Sequence, residues 1–139
     1  MNDLGVYLLV SVRRPYSSLL LDGDKVLEVR KQRLGTPYPA LVYESGDGGA
    51  HKVLGIAMMG PGVLVCPEIL PAVLKGAKLT REEYERYAGG RRTWAHAVYL
   101  ARRFGTALTL ETLGVERAPQ SWMYVPVEST IIRGAMRYV

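Results

Sequence analysis

Gly23-Asp24-Lys25-Val26-Leu27-Glu28-Val29-Arg30 carries most of what this chain reveals about itself. Side chains two apart on a strand share a face about 7 Å apart, so Glu28 and Arg30 project together while Leu27 and Val29 face the other way. Lys25 has the opposite parity but opens the strand just after a glycine, where the pleat need not yet hold. A lysine, a carboxylate and an arginine gathered this way suit a phosphate and a base edge. They also suit proton transfer, with Lys25 as base or nucleophile and Glu28 as proton shuttle. The competing reading is an edge strand of alternating charge with cross-strand ion pairs.

Outward from this stretch the chain alternates short strands and short helices. Val6, Leu8, Val10 and Val12 alternate with Tyr7, Leu9, Ser11 and Arg13, a strand period with one fully apolar face. Pro15 suits the first turn of a helix bearing Tyr16, Leu19 and Leu20, which Gly23 ends. Strands are expected at 25–32, 40–44, 51–59 and 122–127, with Pro61-Gly62 breaking the fourth strand and Ser45-Gly46-Asp47-Gly48-Gly49 forming a hairpin-like turn. Helices are expected at 67–75 and 80–88, the second opened by a capping box of Thr80 and Glu83. Residues 93–104 fit both periods, and the flanking Gly-Gly and Arg pairs favour a strand. Five to six strands interleaved with short helices define an α+β chain, a small mixed β-barrel with helices inserted between strands.

The 139 residues have a single-domain length and an ordinary globular composition, with 48% hydrophobic and 22% charged residues. The longest early apolar stretch, 6–12, is far too short to span a membrane, and Asp3 stands where a signal peptide would carry positive charge. The lone Cys66 cannot form an internal disulfide, which places the protein in the cytoplasm. No metal site is expected, because Cys66, His51 and His96 are isolated, and no cofactor motif appears. The net charge of +5 is concentrated in residues 86–139, and 13 of the 18 basic residues are Arg, whose planar fork matches phosphate oxygens. An anionic partner follows.

The string Gly23-x-Lys25-x-x-Glu28-x-Arg30, after a strand, Pro15, Tyr16 and a Leu-rich helix, resembles the signature of the ASCH domain family of the PUA-like superfamily. Further segments resemble it in the same order: Leu41-Val42-Tyr43-Glu44-Ser45, Val53-Leu54-Gly55, Leu79 to Tyr84 with Tyr87 and Gly90, and Ala118-Pro119-Gln120-Ser121-Trp122-Met123-Tyr124-Val125. The resemblance covers about residues 6–127, giving one domain over 1–127 and a C-terminal extension over 128–139. It implies a PUA-like barrel, recognition of RNA or a modified nucleoside, and a cleft faced by Lys25, Glu28 and Arg30. One small bacterial branch of the family deacylates N4-acetylcytidine with a Lys, a Thr and a Glu, and other members are ribonucleases. Lys25 matches that Lys, whereas Glu28 stands at the Thr position.

The resulting expectation is a regulatory, non-catalytic module for single-stranded RNA or a modified nucleotide, with DNA as a second polyanion and no membrane partner. Arg13, Arg14, Lys25 and Arg30 would hold phosphates, and Tyr16, Tyr43 and Trp122 would stack bases. Glu28, Ser45, Gln120 and Ser121 would complete the site. The alternative is a hydrolase of RNA or of an acylated nucleoside that uses Lys25 and Glu28. If Glu28 and Arg30 line an open cleft, Glu28→Gln is expected to alter base preference with little change in stability.

Overall fold

The computed structural model describes residues 3–137, so Met1, Asn2, Tyr138 and Val139 of the boundaries above lie outside the described residues. In chain order the elements are β1 (Leu4–Arg13), α1 (Tyr16–Leu21), β2 (Leu27–Arg30), β3 (Tyr38–Ser45), β4 (Val53–Leu64), α2 (Leu70–Ala77), α3 (Arg81–Ala88), β5 (Trp94–Leu108), β6 (Trp122–Glu128) and α4 (Ser129–Met136). The six strands form one mixed sheet in the order β2-β5-β4-β3-β1-β6. Only β1 and β3 run parallel; every other neighbouring pair is antiparallel. The chain has the expected α+β architecture, and the ambiguous stretch at 93–104 lies in a strand. The Thr80–Glu83 capping box forms as expected: the Glu83 N–H donates to Thr80 Oγ1 at 3.1 Å and the Thr80 N–H to Glu83 Oε1 at 2.9 Å.

The ladder order leaves β2 and β6 as edges, so no backbone ladder closes the expected barrel. The sheet is nevertheless strongly curled. In a flat sheet β2 and β1 would lie about 19 Å apart, four spacings of about 4.8 Å, beyond the reach of any side chain. Yet the Arg30 guanidinium on β2 donates from Nη2 to the Ser11 carbonyl on β1 at 2.7 Å. It also donates from Nη1 to Ser121 Oγ, just before β6, at 3.2 Å. Side chains bridge the seam that a closing ladder would occupy.

The apolar side chains pack in three clusters. Leu8, Val10, Val12, Leu20, Leu34, Val42, Met59 and Val98 pack together with α1 over one face of β1 and β3. Leu9, Leu41, Val53, Phe104, Val125 and Val127 pack on the opposite face with Ile132 and Ala135 of α4. Val29 and Ala95 meet Val73 and Ala77 of α2, with Leu27 half-buried beside them. Leu9, on the mixed face of β1, is therefore fully buried as well. α4, which lies within 128–139, the extension beyond the family resemblance, packs into the same cluster.

A second expectation fails at Pro61-Gly62, where β4 was expected to end. The strand continues to Leu64, because the register with β5 shifts between Met59 and Gly62 and leaves Pro61, which has no N–H to donate, outside the paired ladder. The Gly62 N–H instead reaches the Leu34 carbonyl at 2.9 Å.

Gly55 marks the tightest crossing of β4 over β5. A Cβ there would lie 2.4 Å from the Arg102 carbonyl oxygen and 2.7 Å from Leu21 Cδ2. Gly55→Ala is expected to destabilise the protein by about 2–3 kcal/mol, the cost of overpacking against backbone. Gly35→Ala, which meets nothing within 4 Å, should be nearly neutral in the same urea titration.

Candidate nucleic-acid interface

Lys25, Glu28 and Arg30 converge as expected, but inside the curl rather than on its surface. Their relative exposures are 3%, 5% and 8%. Glu28 points toward the first apolar cluster and lines a small space there beside Val10, Val12 and Met59. Its Oε2 accepts from Arg30 Nη2 at 2.6 Å and from Arg30 Nε at 3.2 Å, and its Oε1 meets Lys25 Nζ at 3.1 Å. The other two ammonium protons of Lys25 have acceptors in the carbonyls of Leu27, at 2.7 Å, and Ala77, at 2.9 Å. Burial pushes the Glu28 carboxyl upward, but the charges and hydrogen bonds of Arg30 and Lys25 prevail and hold it at about 2. The set is a closed circuit of donors and acceptors.

His96 supports this circuit from β5. The Leu34 N–H donates to its Nε2 at 3.0 Å, so Nδ1 carries the proton and donates to the Glu28 carbonyl at 3.1 Å. Burial depresses the imidazole pKa, which matches a neutral packed ring. Trp122, expected to stack a base, is half-buried and packs edge-on against His96 at 5.4 Å between centroids. Tyr43, the other expected stacking platform besides Tyr16, is 7% exposed and belongs to the second core cluster, where the ring of His51 covers it. Ser121 is tied to Arg30, and Gln120 beside it is exposed.

The open surface lies on the far side of Tyr16. Arg13, Arg14, Pro15, Tyr16, Ser45, Gly46, Asp47 and Glu83 line a groove of about 270 Å³. It therefore gathers Arg13, Arg14, Tyr16 and Ser45 of the expected set, while the buried trio lies behind it. Lys25 Nζ sits 5.7 Å from the Tyr16 ring centroid, so that ring separates groove from circuit. The Tyr16 hydroxyl donates to Glu83 Oε2; burial and this bond push its pKa up to about 12. Arg14 donates from Nη1 to the Gly48 carbonyl at 2.6 Å, which fixes one side of the rim. Arg13 is exposed and meets no carboxylate among the described residues.

Two supporting carboxylates were not read from the sequence as part of the site. Glu44 is buried next to Ser45 of the groove, 3.8 Å from Arg14 Nε, accepting from Ser17 Oγ at 2.7 Å and from the Ala50 N–H at 2.8 Å. Burial raises its pKa, but those bonds and Arg14 outweigh it and leave the carboxyl below its ordinary value. Glu83 serves both the capping box and Tyr16. The capping box was legible locally, whereas both long-range partners required the fold. Among the described residues no three His, Cys, Asp or Glu side chains gather as a metal site.

No family model matches the chain, and no curated protein does. Solved structures do. The ASCH protein from Zymomonas mobilis aligns over 86% of this chain and 87% of its own, with 17% identity and a TM-score of 0.73. Two single-substitution variants of that protein align over 91% of this chain and 93% and 95% of theirs, at 18% and 16% identity with TM-scores of 0.76 and 0.77. The protein has an ASCH-domain fold.

Glu28→Gln leaves two buried cations facing a neutral amide, and should cost about 3 kcal/mol or more rather than leaving stability nearly unchanged. A carboxyl held at about 2 stabilises the fold fully above the ordinary value of 4.5 and loses that contribution as pH falls toward 2. The difference in urea midpoint between wild type and Glu28→Gln should therefore shrink steadily between pH 5 and pH 2.

Proposed function

We propose that the protein is a non-catalytic, regulatory module that binds single-stranded RNA or a modified nucleotide in the groove at Arg13, Arg14, Tyr16 and Ser45. The observation that carries this reading is the placement of two exposed guanidiniums beside a tyrosine ring at a groove of about 270 Å³. Single-stranded RNA is held by cations on its backbone and aromatic or guanidinium planes under its bases. Asp47 on the same rim can accept hydrogen bonds from base edges. The circuit of Lys25, Glu28 and Arg30 then acts as the rigid support behind Tyr16, with Ser121 held in place by Arg30.

The alternative of a hydrolase using Lys25 and Glu28 is weaker on these contacts. A lysine nucleophile or base needs a free lone pair aimed at substrate, and here all three N–H donors have acceptors. Both Glu28 oxygens are likewise engaged. Among the described residues no helix is long and apolar enough to cross a membrane. We place the binding activity in the cytoplasm, where Cys66 remains a free thiol.

Fluorescence anisotropy with a labelled single-stranded RNA tests the reading. The log of the binding constant should fall linearly with log salt, and Arg13→Ala/Arg14→Ala should reduce that slope by about 1.4, at about 0.7 per phosphate. Salt-independent binding would place a neutral small ligand in the groove instead. Equal affinity for DNA of the same sequence would show that the 2′-hydroxyl is not read.

A further inference from the structure

Lys31 and Arg33 immediately follow β2, and Arg91 and Arg92 shortly precede β5. The antiparallel register sets Arg30, the last residue of β2, opposite Trp94, the first of β5. Four cations that are remote in sequence are thereby brought to one corner of the sheet. All four are exposed, and none forms an ion pair with a carboxylate among the described residues. Arg33 is positioned by a hydrogen bond from Nε to the Gly62 carbonyl at 3.1 Å. Lys31 lies over the Tyr87 ring at 4.7 Å, and its N–H reaches the Tyr87 hydroxyl at 3.3 Å. A merely solvated surface ordinarily intersperses both signs of charge. These four neighbouring side chains carry one sign.

The corner adjoins the groove. Glu83, on the groove wall, and Tyr87, at the corner, are four residues apart on α3, on one face and separated by about 6 Å of rise. A strand leaving the groove past Glu83 meets Tyr87 and then the four cations. We infer that Lys31, Arg33, Arg91 and Arg92 form a second phosphate-contacting surface, which extends the RNA path from the groove across α3 onto this corner. The inference rests on the RNA reading of the groove and adds to it a footprint longer than the groove can hold. Two anchored stretches on one strand bind with an effective concentration set by the nucleotides between them, so affinity should rise steeply with oligonucleotide length.

The test is anisotropy with uridine oligoribonucleotides of 4 and 12 nucleotides against wild type, Arg91→Ala/Arg92→Ala and Arg13→Ala/Arg14→Ala. The expected result is that wild type binds the 12-mer far more tightly than the 4-mer. Arg91→Ala/Arg92→Ala should weaken the 12-mer about tenfold and reduce its salt slope by about 1.4, while leaving the 4-mer unchanged. Arg13→Ala/Arg14→Ala should weaken both lengths. Since Arg91 and Arg92 are exposed, an unchanged melting temperature confirms that the fold is intact in that variant. If Arg91→Ala/Arg92→Ala leaves the 12-mer affinity and slope as in wild type, while Arg13→Ala/Arg14→Ala lowers both, the corner proposal is overturned and the groove reading survives. If wild type binds neither oligonucleotide, both fall. If a 12-residue poly-glutamate peptide binds the corner as tightly as the 12-mer, with the same loss in the Arg91→Ala/Arg92→Ala variant, the partner is an acidic protein segment and the RNA proposal is overturned.

Discussion

The bond between the Glu28 carboxylate and the Arg30 guanidinium, 2.6 Å long and shut away from water, is the constraint on which the sheet's shape depends. A curled sheet whose edges do not pair must either expose unsatisfied backbone at the seam or satisfy it with side chains. Arg30 does the latter at the Ser11 and Ser121 carbonyls, and Glu28 balances its buried charge. Lys25 supplies the second cation and ties the same carboxylate to the end of α2 through the Ala77 carbonyl. Removing any one member strands the others. A buried ion pair of this kind is poor evidence for stability gained over an apolar core, but strong evidence for a cost when broken.

Much of the fold could be read from local pattern. The alternation of β1, the capping box of α3 and the strand parity of Glu28 and Arg30 all depend on neighbours within a few residues, and each appears in the structure. What could not be read depends on contacts made from far away. The burial of Leu9 is one case, since the cluster it joins is completed by α4, far downstream in the chain. Pro61 looked like a terminator because the register shift that accommodates it is a property of two paired strands. The charged face of β2 suggested an open cleft. Local parity shows which side chains point the same way, but not whether that side is the inside of a curl.

The site divides along the same line. Residues gathered by one turn, Arg13, Arg14 and Tyr16, were legible and meet at the groove. Tyr43 and Trp122 are aromatic at strand positions, where core and ligand platform look identical in sequence; His51 and His96 cover their rings in the structure. Structures of an ASCH protein share the fold at only 16–18% identity. Such divergence is expected where apolar periodicity sets the sheet, since many sequences satisfy one pattern. The buried trio links the two halves of the account, holding the seam on one side and backing the Tyr16 wall of the groove on the other.

Native-state hydrogen exchange on Arg30→Met tests the seam most directly. The Ser11 amide donates to the Ser121 carbonyl at 3.0 Å, at the point where Arg30 pins β1 to the segment entering β6. If Arg30 holds the seam, protection at Ser11 and along β1–β6 should fall in the variant, while amides of the central β3–β4 ladder keep protection close to the global unfolding limit. Unchanged protection at Ser11 would contradict the account, as would an equal loss at every strand, which would make Arg30 one core residue among many.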